Sequence, residues 1–183
     1  MLARFGQALL DYDKQHAIRW ANKHGRGRKG SGVLRHLAFS WGKENGPEAM
    51  DWAMKLEDET QRPAIIYRVW LSFRQEKPEE AAQWLLEKGP TPILEGVYAR
   101  YLTGLGMDKK QTEGFEIAER AEDVLLRERL QTAVALGWAQ SDPEATTKWL
   151  ETAKLAPDLD ARVRKAMQAK PAQPMVPTDP NAG

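Results

Sequence analysis

Apolar residues recur along this chain three and four positions apart, which is the spacing of one face of an α-helix. The clearest series is formed by Leu34, Leu37, Ala38 and Trp41. The same order of side chains returns over residues 2–9 and 66–73, recurs with a shift of one residue over 98–105, and is degraded over 131–138. The sequence has no alternating run of β-branched residues, the mark of half-buried strands, so the pattern predicts an all-α chain.

An aromatic residue marks a second helical series after each of these ladders. The aromatics are Trp20, Trp52, Trp84, Phe115 and Trp149, so each follows the one before it at a nearly constant interval. Such a regular interval, within the range of about 20 to 50 residues, indicates a stack of small repeats, each of which buries its apolar face against the next. We therefore expect about five helix-turn-helix units, with the tryptophan rings packed in the core between hairpins.

Capping and helix-breaking residues set the predicted ends of these helices. Capping side chains stand at the predicted starts at Asp13, Asn45, Asp108 and Asp142. Pro78 and Pro143 fall at the first helical position, where no backbone N–H is needed. The predicted connectors, where Gly and Pro are concentrated, are residues 25–32, 62–63, 89–90 and 156–157.

The end of the chain differs from the repeats. Residues 158–167 predict one further helix, which would cover the open end of the stack. Residues 170–183 are rich in Pro and nearly uncharged, so we expect them to form a disordered tail. The predicted organisation is a helical-repeat domain over residues 1–169 followed by that tail.

The repeat resembles the tetratricopeptide type over about residues 1–155. The series Leu34, Leu37, Ala38 and Trp41 has the order of large, apolar, small and aromatic residues found in the first helix of that family. Small residues of the family's second helix are matched by Ala17, Ala49 and Ala81. The period here is about 32 residues, slightly shorter than that of the family. The resemblance implies a right-handed α-α superhelix (solenoid), whose concave face, lined by the first helices, holds an extended peptide or a partner's helix.

Composition removes several function classes. The 183 residues include no cysteine, which excludes disulfide frameworks, thiolate zinc sites and cysteine nucleophiles. No apolar run is long enough for a membrane helix and the mean hydropathy is −0.62, so we expect no membrane span. The stretch over residues 1–15 is apolar but broken, unlike that of a signal peptide, which favours a cytoplasmic location.

Charge is distributed unevenly although the net charge is only +1. Residues 1–45 carry nine basic and three acidic side chains, whereas residues 46–183 carry 18 and 23. The basic excess includes a Gly-rich run over residues 23–32, and its candidate contacts to an anion or a nucleic acid are Lys23, Arg26, Arg28 and Lys29. The alternative is a solvated, flexible connector between the first two hairpins.

Candidate partner-binding residues follow from the resemblance, because its geometry turns the positions beside the core ladder of each first helix toward the concave face. In the second and third units these candidates are Arg35, Phe39, Lys43, Tyr67, Leu71 and Arg74. Together they would form an aromatic and cationic strip suited to an acidic or C-terminal peptide segment. Ordinary surface residues would give a similar pattern.

Catalytic and metal chemistry find little support in the sequence. The three histidines, His16, His24 and His36, match no zinc-ligand spacing, and we interpret them as helix-end and surface residues. The acidic clusters over residues 57–59 and 119–123 stand beside basic residues and are explained by solvated ion pairs. We therefore predict no enzyme, no catalytic residues, no metal and no cofactor.

These observations favour a non-enzymatic scaffold or adaptor that binds a protein or peptide partner on the concave face of a helical repeat. The alternative is a helical-repeat protein that binds nucleic acid through its basic N-terminal hairpin and loop. Self-association also fits the opposite charges of the two ends. A third hypothesis is that the chain is a piece of a longer protein.

Overall fold

The computed structural model describes residues 28–168, with side chains from residue 32 onward. This span contains nine α-helices and no strand, which confirms the all-α prediction for the described residues. The helices are α1 (Arg28–Glu44), α2 (Gly46–Met54), α3 (Arg62–Glu76), α4 (Pro78–Lys88), α5 (Glu95–Met107), α6 (Gln111–Glu119), α7 (Val124–Ser141), α8 (Pro143–Leu150) and α9 (Pro157–Gln168). A 3₁₀ helix, Pro92–Leu94, leads into α5. The predicted first hairpin with Trp20 and the predicted tail over residues 170–183 lie outside the described residues.

Single residues join the two helices of three pairs: Asn45 joins α1 and α2, Lys77 joins α3 and α4, and Asp142 joins α7 and α8. The side chain of Asn45 accepts a hydrogen bond from the backbone N–H of Glu48, with N and Oδ1 3.3 Å apart. Asp142 accepts one from the N–H of Ala145 at 2.9 Å. These contacts satisfy backbone donors that have no partner inside the helix, so both predicted caps are confirmed.

The prediction that Asp108 caps a helix is wrong. Asp108 directly follows the last residue of α5, and α6 begins only after Lys110, which makes no capping hydrogen bond with its side chain. This turn has three residues instead of one, and its middle residue, Lys109, has a positive φ of 60°. The longer turn moves the start of α6 away from Asp108, beyond the reach of a cap.

Two of the predicted connectors are helical where the structure describes them, over residues 28–32 and 62–63. Helix α3 begins at Arg62, so Pro63 lies in its first turn, where proline costs no hydrogen bond. Helix α1 begins at Arg28 and runs through Gly30 and Gly32, although glycine disfavours a helix by about 1 kcal/mol relative to alanine. The core contacts of the following turns, starting with the buried side chain of Val33, outweigh that preference. The Gly89–Pro90 connector is confirmed, and Gly89 has a φ of +73°.

Tryptophans fill much of the core between helices. Trp41, Trp52, Trp70 and Trp84 are all buried, as the sequence predicts. The prediction is too strong near α8, where Trp138 and Trp149 are only half-buried. Trp149 lies at the end of α8, a helix of eight residues, and Trp138 faces it from α7.

Odd-numbered helices pack on one another, α1 against α3, α3 against α5, α5 against α7 and α7 against α9. The interfaces of α1 with α3 and of α5 with α7 are the most extensive, whereas α3 and α5 touch much less. The helix over residues 158–167 predicted by the sequence is confirmed as α9, and its Val163 is buried against α7 and α8. None of the helices described between Arg28 and Gln168 combines the length and the apolar character needed to span a membrane.

Glycines explain why two of these interfaces are tight. A Cβ atom on Gly42 of α1 would lie 2.7 Å from the backbone oxygen of Val69 in α3, too close for any side chain. In α5, a Cβ atom on Gly106 would collide in the same way with the backbone oxygen of Val134 in α7. Gly42 and Gly106 are separated by two of the predicted periods. The same close backbone approach therefore occurs at two junctions of the stack.

The junction between α3 and α5 lacks this approach. One period after Gly42 stands Arg74, and one period after Val69 stands Tyr101. Two large side chains therefore occupy the positions where the tight junctions have glycine and valine. Helices α3 and α5 cannot approach as closely, and open space remains on both sides of their contact.

Candidate functional site

An open groove of about 920 Å³ runs across α3, α5, α7 and α9. The residue beside the core ladder at the same place in each repeat is Tyr67 in α3, Ala99 in α5 and Thr132 in α7, and all three line the groove. The helices that carry them pack pairwise, α3 on α5 and α5 on α7, which brings the three residues to one surface. The groove is thus lined by one face of each of these helices together with residues of α9.

The floor of the groove is largely apolar, with Ile66, Ala133, Leu136 and Leu159 among its lining residues. At its rim, Tyr67 is 36% exposed and Ile93 is 38% exposed, although both are large and hydrophobic. Exposed apolar side chains that line one concave surface favour contact with another molecule. The floor can therefore bury aliphatic or aromatic groups of a ligand.

Arginine dominates the charge of the groove. Four arginines line it, Arg62, Arg100, Arg129 and Arg162, against two acidic residues, Glu59 and Glu95. The net formal charge of the lining is therefore +2. A cationic rim over an apolar floor suits a ligand that carries carboxylates together with apolar groups.

Two of these arginines are already engaged. Arg129 pairs with Glu95, with Nε and Oε1 2.8 Å apart. Arg62 donates from Nε to the backbone oxygen of Leu56 at 2.6 Å and lies 3.8 Å from a carboxylate oxygen of Glu59. Both contacts hold the guanidinium groups in place at the edge of the groove.

The other two arginines are unpaired within the described part of the chain. Arg100 in α5 and Arg162 in α9 are exposed and have neither an ion pair nor a side-chain hydrogen bond among the described residues. An arginine that has no internal partner retains all five N–H donors for an incoming carboxylate. These two side chains are therefore the groups of the groove most available to an incoming anion.

The partner-binding candidates of α1 lie away from this groove. Phe39 is half-buried where α1 meets α3, and the guanidinium carbon of Arg68 lies 4.8 Å from the centre of its ring. Lys43 lies over the same ring at 5.4 Å and also pairs with Glu76 at 3.4 Å. Arg35 is exposed on α1. Phe39 and Lys43 thus take part in contacts between the two helices.

The candidates of α3 divide between two cavities. Tyr67 lines the groove, whereas Leu71 and Arg74 line a second cavity of about 660 Å³ between α3, α4 and α5. The continuous strip expected from the sequence is therefore not formed by these six residues. One helical turn separates Tyr67 from Leu71, and the narrow contact between α3 and α5 separates the two cavities.

The other candidates cannot be placed as fully. Lys23 and Arg26 lie outside the described residues, as do His16 and His24. Arg28 and Lys29 form the start of α1, which gives the second half of the basic run a helical backbone. His36 is half-buried on α1.

Sequence reasoning missed the groove arginines of α5, α7 and α9. Counting one and two periods of about 32 residues along the chain from Tyr67 leads to Ala99 and Thr132. The apolar ladder of each helix shows that these positions are equivalent to Tyr67. Arg129 lies one helical turn before Thr132 on α7, and Arg162 lies on α9, outside the repeated pattern, so its place in the groove could not be projected from the period.

Comparison with family models finds no match for this chain, and no curated protein or solved structure matches it either. The chemistry of the groove is therefore the basis for assigning a function. That chemistry is an apolar floor, two arginines free to bind carboxylates, and an open entrance.

Proposed function

We propose that this chain is a non-enzymatic adaptor that binds an acidic, partly apolar segment of a partner protein in the groove across α3, α5, α7 and α9. The observation that carries the proposal is the placement of Arg100 and Arg162, unpaired among the described residues, beside an apolar floor. Packed helices lie 8–10 Å apart, so a groove across four of them extends about 25–30 Å. That length accommodates roughly eight extended residues.

The same proposal includes a solenoid of about five helix-turn-helix repeats of the tetratricopeptide type, closed by α9. The order of packing from α1 through α3, α5 and α7 to α9 supports it, because each odd-numbered helix contacts the next. The two glycine junctions support it further, since they repeat one contact at twice the period. We take the superhelix to be right-handed, as the resemblance implies.

An adaptor fits the groove better than an enzyme does. Catalytic sites usually exclude water around the reacting groups, whereas this groove is open to solvent along its length. Binding of an extended segment gains from such openness, because many weak contacts act together over a long surface. Nucleic-acid binding through Lys23, Arg26, Arg28 and Lys29 stays a prediction from the sequence, because the described residues do not include those side chains.

The proposal is tested with a fluorescein-labelled peptide of eight alternating Glu and Leu residues, with fluorescence anisotropy as the readout. We expect binding to the wild-type chain and a loss of about tenfold or more in affinity for the double variant Arg100→Ala and Arg162→Ala, since charge-assisted hydrogen bonds are lost. The matched control is Arg164→Ala on α9, whose guanidinium pairs with Asp160 at 2.6 Å and does not line the groove.

Two further probes can give results that would contradict the adaptor proposal. A peptide with Lys in place of Glu should bind at least tenfold more weakly; equal binding of the two peptides would contradict an acidic partner. A labelled single-stranded DNA 20-mer tests the alternative. Tight DNA binding that falls steeply with salt and is lost in Arg26→Ala, Arg28→Ala and Lys29→Ala, with no peptide binding, would replace the adaptor proposal.

A further inference from the structure

The cavity between α3, α4 and α5 has no lining residue in common with the groove. Its volume is about 660 Å³. Its lining includes Trp70, Leu71 and Arg74 of α3, Ala82 of α4, Tyr101 and Leu105 of α5, and Asp108 just after α5. The cavity lies where Arg74 and Tyr101 replace the glycine and valine of the tight junctions. The cavity therefore results from the two large side chains at the junction between α3 and α5.

Polar groups in the cavity have no partners among the described residues. Trp70 is 1% exposed, and its indole N–H finds no acceptor. Arg74 and Asp108 are both exposed, and neither forms an ion pair within the described residues, although both line the same cavity. A buried donor without an acceptor costs about 1–3 kcal/mol, which a bound acceptor would recover.

Tyr101 adds a further donor. Its ring meets the indole of Trp70 edge-on, with ring centres 6.5 Å apart. Burial raises the pKa of Tyr101, and the carboxylate of Glu113 raises it further. The hydroxyl therefore keeps its proton over the physiological range, so Tyr101 contributes to the cavity lining a side chain that can donate a hydrogen bond.

The hydrogen-bond donors and the single carboxylate of the cavity lining determine which ligand fits the cavity. Arg74, Trp70 and Tyr101 supply donors for an anion, while Asp108 repels a second negative charge and accepts from an N–H or ammonium group. Leu71, Ala82 and Leu105 provide an apolar wall. These requirements together describe a carboxylate, a neighbouring nitrogen donor and an apolar side chain in one small unit.

We propose that this cavity binds a single apolar amino-acid unit with a free α-carboxylate. The carboxylate lies on the guanidinium of Arg74, the α-nitrogen faces Asp108, and the side chain packs on Leu71 and Leu105. The indole N–H of Trp70 is buried at the wall of the cavity, so the carboxylate reaches it only when a lining side chain shifts on binding. Free amino acids and the C-terminal residue of a peptide share this chemistry.

Three probes separate the two sources. N-acetyl-L-leucine has a carboxylate and an amide N–H, as at a peptide C-terminus. L-leucine has a carboxylate and an ammonium group, and L-leucinamide has the ammonium group with a neutral carboxamide in place of the carboxylate. Each is titrated into the ¹⁵N-labelled full chain, and the indole N–H resonances are followed by NMR. We expect saturable binding with a dissociation constant of about 1 mM or lower, and a downfield shift of the Trp70 resonance.

The probe that binds identifies the source. Stronger binding of L-leucine than of the acetylated form assigns the cavity to free amino acids, and the reverse order assigns it to a peptide C-terminus. L-leucinamide should bind at least tenfold more weakly than either, because it lacks the carboxylate. Equal binding of all three probes, or no shift with any of them, would overturn the proposal.

Variants connect the binding to the cavity. Arg74→Ala should weaken the binding of the preferred probe about tenfold or more, and Arg100→Ala, in the groove, should leave it unchanged. Trp70→Phe identifies the Trp70 resonance; if that variant fails to fold, comparison of spectra with and without the Arg74→Ala change still assigns the shift. Unaltered binding in Arg74→Ala would refute the site. Because Arg74 is absent from the groove, this result is independent of the adaptor proposal.

Discussion

The indole rings of Trp41 in α1 and Trp52 in α2 lie 5.2 Å apart, tilted by 37°, and so join the two helices of one hairpin. Trp138 in α7 and Trp149 in α8 hold the corresponding positions, with ring centres 6.5 Å apart and a tilt of 57°. The first and last hairpins of the described chain are thus closed by the same pair of side chains. The wider spacing at Trp149 accompanies its stacking on Phe115 of α6, at 4.8 Å.

Removing one of the periodic rings should be costly. Trp84 in α4 is 7% exposed, and Lys88 lies 5.3 Å above its ring. We expect Trp84→Ala to lower the free energy of unfolding by about 3–5 kcal/mol, because the cavity it leaves cannot fully close. Urea denaturation followed by circular dichroism measures this. Leu125→Ala, at a side chain that is 63% exposed, should change it by less than about 0.5 kcal/mol.

A methyl group on Gly106 should separate two helices. In Gly106→Ala the new Cβ would lie 2.7 Å from the backbone nitrogen of Trp138, so α5 and α7 must move apart. We expect a loss of about 1–3 kcal/mol, as for other overpacked interiors. Gly104→Ala, two residues earlier in the same helix, meets nothing within 4 Å and should be neutral or stabilising. Equal effects of the two substitutions would contradict a close approach at Gly106.

Two aspartates that the sequence treats alike should behave differently. Asp142 accepts a hydrogen bond from the N–H of Ala145, so Asp142→Ala should destabilise the chain by about 1 kcal/mol. Asp108 caps no helix, and Asp108→Ala should change the free energy of unfolding by less than about 0.5 kcal/mol. Thermal or urea unfolding of both variants distinguishes a cap from a turn residue. A larger loss at Asp108 would restore the prediction made from the sequence.

Tyr98 should make stability depend on pH in the alkaline range. Burial raises the pKa of its hydroxyl to about 12, although Arg120 opposes the shift, and the hydroxyl donates to the backbone oxygen of Leu85. The unfolded chain releases this proton near pH 10, so between pH 10 and 12 the unfolded state binds fewer protons than the folded state. Stability is therefore complete below about pH 10 and falls as the pH rises, by up to about 1.4 kcal/mol per pH unit.

Unfolding free energies measured by urea titration between pH 8 and 11.5 test this effect. Tyr98→Phe removes the titrating group and should flatten the decline above pH 10 relative to wild type. Tyr67→Phe, at an exposed ring, serves as the control and should follow the wild-type curve. Parallel declines of the wild type and the Tyr98→Phe variant would exclude Tyr98 as the cause.

Local signals in the sequence predict the helices well because each is set by a few neighbouring residues. The ladder ending at Trp41, the cap at Asn45 and the proline at Pro143 each act within one or two turns. The predicted helix bounds are wrong where contacts between residues distant in sequence determine where a helix begins. Helix α1 extends into a glycine-rich run because its later turns are buried, and α6 starts late because its turn has three residues.

The candidate site was less predictable for the same reason. Tyr67 lines the groove, but its neighbours there come from distant helices. The separation of Leu71 and Arg74 into another cavity depends on how closely α3 and α5 approach. That distance depends on which residue follows the core position of each helix, glycine at Gly42 and Gly106 but arginine at Arg74.

The small interface between α3 and α5 is a weak boundary, here called the seam, between residues 28–88 and residues 95–168. Segments joined by small interfaces open and close as separate cooperative units, so the amide hydrogens of residues 28–88 and 95–168 should exchange with solvent as two blocks. Both cavities straddle this seam. A ligand bound in either cavity contacts both blocks. Its binding free energy therefore adds to the free energy needed to separate them.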